Sequence, residues 1–515
     1  MRFMHLKWWY MMKNSNMSRS TLLILTLVTI VSACSCSGKE PVVPDPGENF
    51  QRYTTDLSID SKILGRKVGY SITLPKSYVS DKERRYPVVY MLHGYGDDNN
   101  SWNGKWLHGN DKIFALEKNG LSDMIYVFPQ GFTTYYCNYH TGAFNYMDMF
   151  IQELIPYIDA TYRTIADREH RSITGYSMGG FGAMALAEKH PETFLCSAPL
   201  SMSFRTDDQY MSESQSGWDK QWGEIFGGKG QSGEARITPY YMQHCPYYQF
   251  IPANKESLEK VHWFFTCGDD EEQLLIANDT LHVQLRDLGY KHEFRVGDGA
   301  HTSAYWINSL AEVLPMFDHY MNGGNQWPVT IDYTVPEVDL LPSGAFVSER
   351  YNSATDGKIV MILAHNGLEK DKVDNLTRAM TKEYSLKPYA VIPMDVTKGP
   401  FTEVLSEALD GYTYETLGIM AIGEAGVPVF ENRNLFSNIY FAEAHLGNVP
   451  ASLGEEQKYC FCCSDESDSY RDFSTLYRTC KRSGTGFEYR VIDAVADNER
   501  NIINCIYTLQ NTFIY

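Results

Sequence analysis

Positive charge is scarce in this chain. Its 515 residues carry 45 Lys and Arg against 64 Asp and Glu, a formal net charge of −19. Nucleic acid and anionic membrane surfaces are therefore disfavoured as partners, because neither phosphate contacts nor counterion release would help such a surface. The apolar run near the N-terminus, residues 22–31, is too short to span a bilayer. Eleven cysteines are present, yet no two CxxC motifs stand at metal-binding separation. No metal or cofactor is expected, and the cysteines read as buried free thiols, with a Cys463–Cys480 disulfide left open. Disorder is excluded as well: 43% of residues are hydrophobic and 21% charged, as in ordinary globular proteins. The length suits two to four domains.

What is present begins with a leader. Lys13 and Arg19 precede the apolar run, which ends at Ser32-Ala33-Cys34. A basic region, a short apolar core and small residues make a secretory signal. The ending Val-Ser-Ala-Cys resembles a bacterial lipobox. It implies cleavage after residue 33, a lipid on Cys34 as the chain's contact with a membrane, and Ser35 directing the protein to an outer membrane. Residues 34–49, with Pro41, Pro44, Pro46 and Gly47, read as a flexible tether.

From residue 50 short apolar runs alternate with amphipathic segments. Strands are predicted over 66–74, 87–92, 124–128, 171–174, 261–267 and 292–296, and helices over 150–162, 181–189 and 277–288. Strand–helix alternation implies an α/β fold with a mostly parallel sheet covered on both faces and its site at the strands' carboxyl ends. Residues 202–252 break the rhythm. They are rich in Gly, Ser and aromatics, including Trp218, Trp222, Tyr240, Tyr241, Tyr247 and Tyr248, and read as a cap over the sheet's upper edge, with Trp218 and Trp222 as candidate substrate contacts. The chain then repeats itself. The run from Trp263 to Asp270 resembles that from Tyr459 to Glu466, and Glu293-Phe-Arg-Val-Gly-Asp298 resembles Glu488-Tyr-Arg-Val-Ile-Asp493. The Cys-to-Glu spacings are 293 − 267 = 26 and 488 − 463 = 25. The expected organisation is a leader over 1–33, a tether over 34–49, a first domain over 50–325, a linker over 326–344 and a shortened second copy over 345–515.

The chemistry concentrates in Gly175-Tyr-Ser-Met-Gly-Gly180, a G-x-S-x-G elbow after an apolar strand and before a small-residue helix. A serine on that turn stands clear of the sheet, and the helix N-terminus faces a developing oxyanion. Ser177 is the candidate nucleophile. The amides of Met178 and of Tyr95, in the glycine-rich turn His93-Gly-Tyr-Gly96, are candidate oxyanion donors, and His93 itself reads as structural. A serine needs a base. His301, on the loop Gly297-Asp-Gly-Ala-His301 after a strand, fits best, with His244, His262 and His292 as bland alternatives. The acid lies between the two, and Gly268-Asp-Asp-Glu-Glu272 offers four carboxylates, so the residues alone leave that choice open. In the second copy Gly423-Glu-Ala-Gly426 falls where the elbow would be, Ala496 falls opposite His301 and Ser467 opposite Glu271, so this copy lacks the machinery.

Residues 50–322 resemble the esterase D and feruloyl esterase superfamily, which also holds acetyl-xylan esterases, siderophore esterases and mycolyltransferases. The features that carry the likeness are the His93-Gly94 turn, Glu153-Leu-Ile-Pro-Tyr-Ile158, the elbow, Cys267-Gly268, and His301 followed by Trp306. The resemblance implies an α/β-hydrolase fold and a serine carboxylesterase without cofactor. Its acid position falls on Glu271, where Asp is commoner, with Asp270 as the alternative. By the same resemblance, expected substrates are feruloyl or acetyl esters of plant polysaccharides, with siderophores or other small esters second and acyl transfer third. The degenerate copy motivates a reading of another class, a glycan-binding surface lipoprotein on an esterase scaffold.

Overall fold

The computed structural model describes residues 50–515, apart from 105, 325–326, 328–332 and 383–384. The leader, the tether and Cys34 lie outside the described residues. Eight strands form the first half: β1 (Tyr53–Ser61), β2 (Arg66–Thr73), β3 (Val88–Leu92), β4 (Ile125–Pro129), β5 (Arg171–Tyr176), β6 (Cys196–Leu200), β7 (His262–Gly268) and β8 (Glu293–Gly297). Seven follow: β9 (Phe346–Val347), β10 (Ile359–His365), β11 (Tyr389–Asp395), β12 (Thr416–Gly423), β13 (Asn438–Ala444), β14 (Lys458–Ser464) and β15 (Phe487–Ile492). All fifteen make one sheet, in the order 1-2-4-3-5-6-7-8-15-14-13-12-10-11-9.

That order contains one topology twice. Strands β2 to β8 run 2-4-3-5-6-7-8, and strands β9 to β15 run 9-11-10-12-13-14-15. In each copy the outer strand is antiparallel and the other six are parallel. The first copy is the α/β-hydrolase arrangement, with β1 added at its edge by an antiparallel pairing to β2. The copies meet edge to edge, β8 against β15 and antiparallel, with Val296 opposite Val491.

Alternation along each strand feeds two layers, because successive side chains point to opposite faces. Val88, Tyr90 and Leu92 of β3 enter the same apolar cluster as Val360, Ile362 and Ala364 of β10. Val89 and Met91 enter a second cluster confined to the first copy, and Ile359, Met361 and Leu363 a third confined to the second. One face is thus a core shared across the junction, and the other is two separate cores. Over the shared face the helices Glu272–Asp287 and Tyr470–Ser483 pack on each other.

Several expected elements differ in detail. The helix read over 150–162 starts at Tyr146 and passes through a π turn over Phe150–Leu154. Pro156, which cannot donate to the carbonyl four residues back, sits just beyond that turn. The cap does not stop at 252: short helices continue to Leu258. Part of the linker expected over 326–344 is not described, and residues 333–344 hold no helix or strand. Cys463 and Cys480 are buried free thiols. Glu153, from the run quoted above, accepts the backbone N–H groups of Lys62 and Ile63 at 2.9 and 3.1 Å, pinning the turn between β1 and β2.

The β8–β15 junction is held by two clamps that mirror each other. Arg295 of β8 donates to Asp465 beyond β14 at 2.6 Å, and Arg490 of β15 donates to Asp269 beyond β7. Asp465 accepts Phe294 N–H and Ala494 N–H, and Asp269 accepts Tyr489 N–H and Gly299 N–H. Arg295 also pairs with Glu293 and Asp493, as Arg490 does with Glu488 and Asp298. Residue i of one copy meets j of the other and j meets i, the logic of an isologous dimer inside one chain. Arg295→Met would strand Asp465 in the interior. It is expected to lower the unfolding free energy by about 3–5 kcal/mol, measured by urea denaturation, with part recovered in Arg295→Met/Asp465→Asn. A cost below about 1 kcal/mol would mean that the clamp does not hold the junction.

Candidate active site

Ser177 follows β5 with φ 56° and ψ −118°, a conformation L-residues avoid. Close packing enforces it. A Cβ on Gly179 would lie 2.4 Å from the Leu92 carbonyl oxygen, and one on Gly175 would lie 2.4 Å from that of Gly179. Only glycines let the helix Met178–Lys189 approach β3 so closely. Ser177 N–H donates to Leu200 O at 2.9 Å, and Ser203 N–H donates to Ser177 O at 3.0 Å, so the strained residue is bonded on both sides.

His301 Nε2 lies 2.9 Å from Ser177 Oγ, and its Nδ1 lies 2.7 Å from Glu271 Oε2. The Glu271 side chain is fully buried and that of His301 is 37% exposed. The other carboxylate oxygen of Glu271 accepts Ser201 Oγ at 2.5 Å and Gly268 N–H at 2.9 Å. Trp306 Nε1 donates to Ser201 Oγ at 2.9 Å, and its ring stands edge-on to His301 and stacks on Tyr176 at 4.4 Å. The series Ser177–His301–Glu271–Ser201–Trp306 is continuous. With Nδ1–H donated to the carboxylate, Nε2 is free to accept the serine proton. Ser201, which also has positive φ at 47°, escaped the sequence reading; its signal, a Ser two residues after Pro199, is too weak to find alone.

Of the four clustered carboxylates, Glu271 reaches the imidazole. Asp270 is exposed, and its N–H donates to Gly299 O. Asp269 is committed to Arg490, and burial pushes its carboxyl up to about 6 against the pull of that guanidinium and of two backbone N–H groups. Asp269, Asp270 and Asp298 stand close enough to share a cation, as do Glu293, Asp465 and Asp493. Each group already pairs with a guanidinium, Arg490 and Arg295 respectively.

Tyr95 N–H and Met178 N–H have no protein acceptor among the described residues. The Tyr95 ring leans toward the cap, its hydroxyl donating to Lys220 O at 3.3 Å. His93 is buried and accepts Gly131 N–H on Nε2 at 2.8 Å, and burial holds it below its usual pKa. His244, His262 and His292 are each pushed down to about 4 by burial, and none reaches Ser177.

Trp218 and Trp222 correct the reading of them as substrate contacts. Their exposures are 0% and 1%, and they pack with Tyr210 inside the cap. Trp218 Nε1 is spent on Gly228 O. The cap helices are too short to bury their own faces, so their aromatics join the apolar cluster of the sheet's shared face, Trp222 against Tyr135 and Phe226 against Phe181.

In the second copy no such series stands in the corresponding frame among the described residues. The pairings Tyr176 with Leu200 and Ile422 with Ala442 put Gly423, φ 53°, where Ser177 stands. A carboxylate persists on another element: Glu443 accepts Ser464 N–H at 2.6 Å, as Glu271 accepts Gly268 N–H. Its φ of 47° equals that of Ser201, its counterpart after β6.

A serine so placed reacts with organophosphorus fluorides. Intact-mass analysis after treatment with a fluorophosphonate is expected to show one adduct, absent in Ser177→Ala and slowed at least about 100-fold in His301→Ala. An adduct surviving in Ser177→Ala would place the reactive group elsewhere.

A family model described as "Putative esterase" matches residues 61–317. An esterase of Mycobacterium tuberculosis is 27% identical over 275 residues, covering 50% of this chain and 56% of that protein. An endo-1,4-beta-xylanase/feruloyl esterase of Xylanibacter ruminicola is 30% identical over 168 residues, 30% of this chain and 23% of that protein. The chain therefore spans little more than half the length of the first of these relatives. A solved ferulic acid esterase is 31% identical, covers 53% of this chain and 100% of its own, and superposes with a TM-score of 0.44. Residues 61–317, which hold Ser177, His301, Glu271, Ser201 and Trp306, belong to this esterase family.

Proposed function

We propose that the chain is a serine carboxylic ester hydrolase. The observation that carries this reading is the unbroken hydrogen-bonded series from Ser177 through His301 to Glu271, set on a strained elbow beside two unengaged amides. Ser177 Oγ attacks the ester carbonyl as His301 Nε2 takes its proton. The oxyanion is received by the N–H groups of Met178 and Tyr95. His301 then returns the proton to the leaving alcohol. Water, deprotonated by the same nitrogen, cleaves the acyl-enzyme, and Glu271 stabilises the imidazolium in both halves.

For substrates we favour feruloyl or acetyl esters of plant polysaccharides, the support being the relative whose name joins a xylanase to a feruloyl esterase. This reading does not rest on Trp218 or Trp222. The leader over 1–33, followed by Cys34, supports action outside the cytoplasm on a lipid anchor, which labelling with a palmitate analogue in wild type and Cys34→Ala tests.

Hydrolysis of methyl ferulate and para-nitrophenyl acetate is expected to fall at least about 10⁴-fold in Ser177→Ala. Glu271→Gln is expected to lower kcat about 10³–10⁴-fold with little change in KM, and Asp270→Asn to leave both within about twofold, since that side chain touches nothing in the series. Cleavage of acetate alone would move the substrate away from feruloyl groups. Turnover unaffected in Ser177→Ala would refute the mechanism.

A further inference from the structure

Glu271 and His301 sit on different loops, and their 2.7 Å contact depends on how those loops are held against each other. The loops touch closely. A Cβ on Gly268 would lie 2.2 Å from Gly299 O, and Gly299 itself has φ 145°. Asp269 N–H donates to Gly297 O at 3.0 Å, and Asp270 N–H donates to Gly299 O at 3.0 Å. Gly299 N–H returns a bond to Asp269 Oδ1 at 3.2 Å. Asp269 is thus the side chain that ties the acid loop to the histidine loop, two residues from Glu271 on one side and, through Gly299, two residues from His301 on the other.

A buried carboxylate keeps such a role only while it is ionised and its second oxygen is satisfied. The group that does this comes from the C-terminal copy. Arg490 Nη1 donates to Asp269 Oδ2, and Arg490 Nη2 reaches Asp298 of the histidine loop at 3.1 Å. Tyr489 N–H adds a bond to Asp269 Oδ2 at 3.3 Å. Among the described residues Arg490 is the one cation paired with Asp269 and with Asp298. A rigid fork spanning both loops fixes their separation in a way a point charge does not.

We propose that Arg490, supplied by the C-terminal copy, is a positioning residue for the Ser177–His301–Glu271 series, and that completing this clamp is the function the degenerate copy retains. The proposal rests on the ester-hydrolase reading of the site and gives residues 345–515 a part in it. The mirror clamp, Arg295 on Asp465, supplies an internal control. It makes the matching carboxylate pairs at the same junction, with Glu312 as a further partner, but the positions aligned with Glu271 and His301 in its copy are Ser467 and Ala496, where no acid or histidine needs placing. Placement matters on a fine scale, since misplacing a reacting group by about 1 Å can cost about 100-fold in rate.

The test uses the full chain with para-nitrophenyl acetate, comparing wild type, R490Q, R490K and D465N, each checked by circular dichroism and urea unfolding. R490Q is expected to lower kcat about 10- to 100-fold with KM within about twofold. R490K, which keeps the charge and loses the fork, is expected to fall between R490Q and wild type. D465N, at the mirror position, is expected to keep kcat within about twofold while losing stability. A folded R490Q with wild-type kcat overturns the proposal, and so does an equal loss of kcat in R490Q and D465N. Should R490Q not fold, R490K decides: a several-fold fall in kcat supports the clamp, and an unchanged kcat overturns it. The rate of Ser177 labelling by a fluorophosphonate is read on the same proteins. It is expected to rank them identically without any ester substrate, so a wrong substrate reading and a wrong clamp give different results.

Discussion

The antiparallel meeting of β8 and β15 is the constraint on which the rest of this structure depends. Each copy of the sheet taken alone would end in an unpaired strand, with open N–H and C=O groups and one uncovered apolar face. Joined, the edges pair at Val296 and Val491, the N–H groups of Phe294 and Tyr489 go to Asp465 and Asp269 of the opposite copy, and one core runs across both copies beneath a pair of mutually packed helices. The geometry is that of a twofold dimer written into a single chain. Such a junction buries charge, and each copy answers with an arginine placed against the other's aspartate.

Symmetry at the junction contrasts with asymmetry at the strand ends. Both copies keep the frame: a positive-φ elbow, a histidine at the carboxyl end of β3 or β10 (His93 and His365), and a carboxylate that accepts the N–H of the last residue of β7 or β14. One copy fills that frame with Ser177, Glu271 and His301, and the other with Gly423, Glu443 and, among the described residues, no imidazole in series. The frame is held by backbone bonds and close glycine packing, which need none of the reacting groups.

The parts of this arrangement legible in the sequence are those whose cause is local. The elbow could be read because glycine at 175, 179 and 180 is demanded by close backbone approach, and the histidine loop because Gly297 and Gly299 mark a turn after a strand. The repeat could be read because the spacing from Cys267 to Asp298 and from Cys463 to Asp493 agrees to within one residue. The residues alone leave the carboxylates at 269–272 undecided; the family resemblance points to Glu271 with Asp270 second, and Glu271 is the one 2.7 Å from His301 Nδ1, while Asp269 is taken by Arg490, 221 positions away. Strand β6 was missed because Pro199 within it argues against a strand, although its missing N–H is tolerated at that position. The cap's extent was blurred because helices of four to seven residues fall below the window in which periodicity is visible. Trp218 and Trp222 were misplaced because aromatic richness does not say which way a ring faces.

The central claim is that a chain whose single sheet repeats one strand order twice carries one working nucleophile. Rapid acid quench during turnover of para-nitrophenyl acetate, followed by intact-mass and peptide analysis, measures this directly. The account predicts at most one acetyl group per chain, carried on the peptide that contains Ser177. An acetyl group on the second copy, or steady turnover with acylation at another residue, would contradict it.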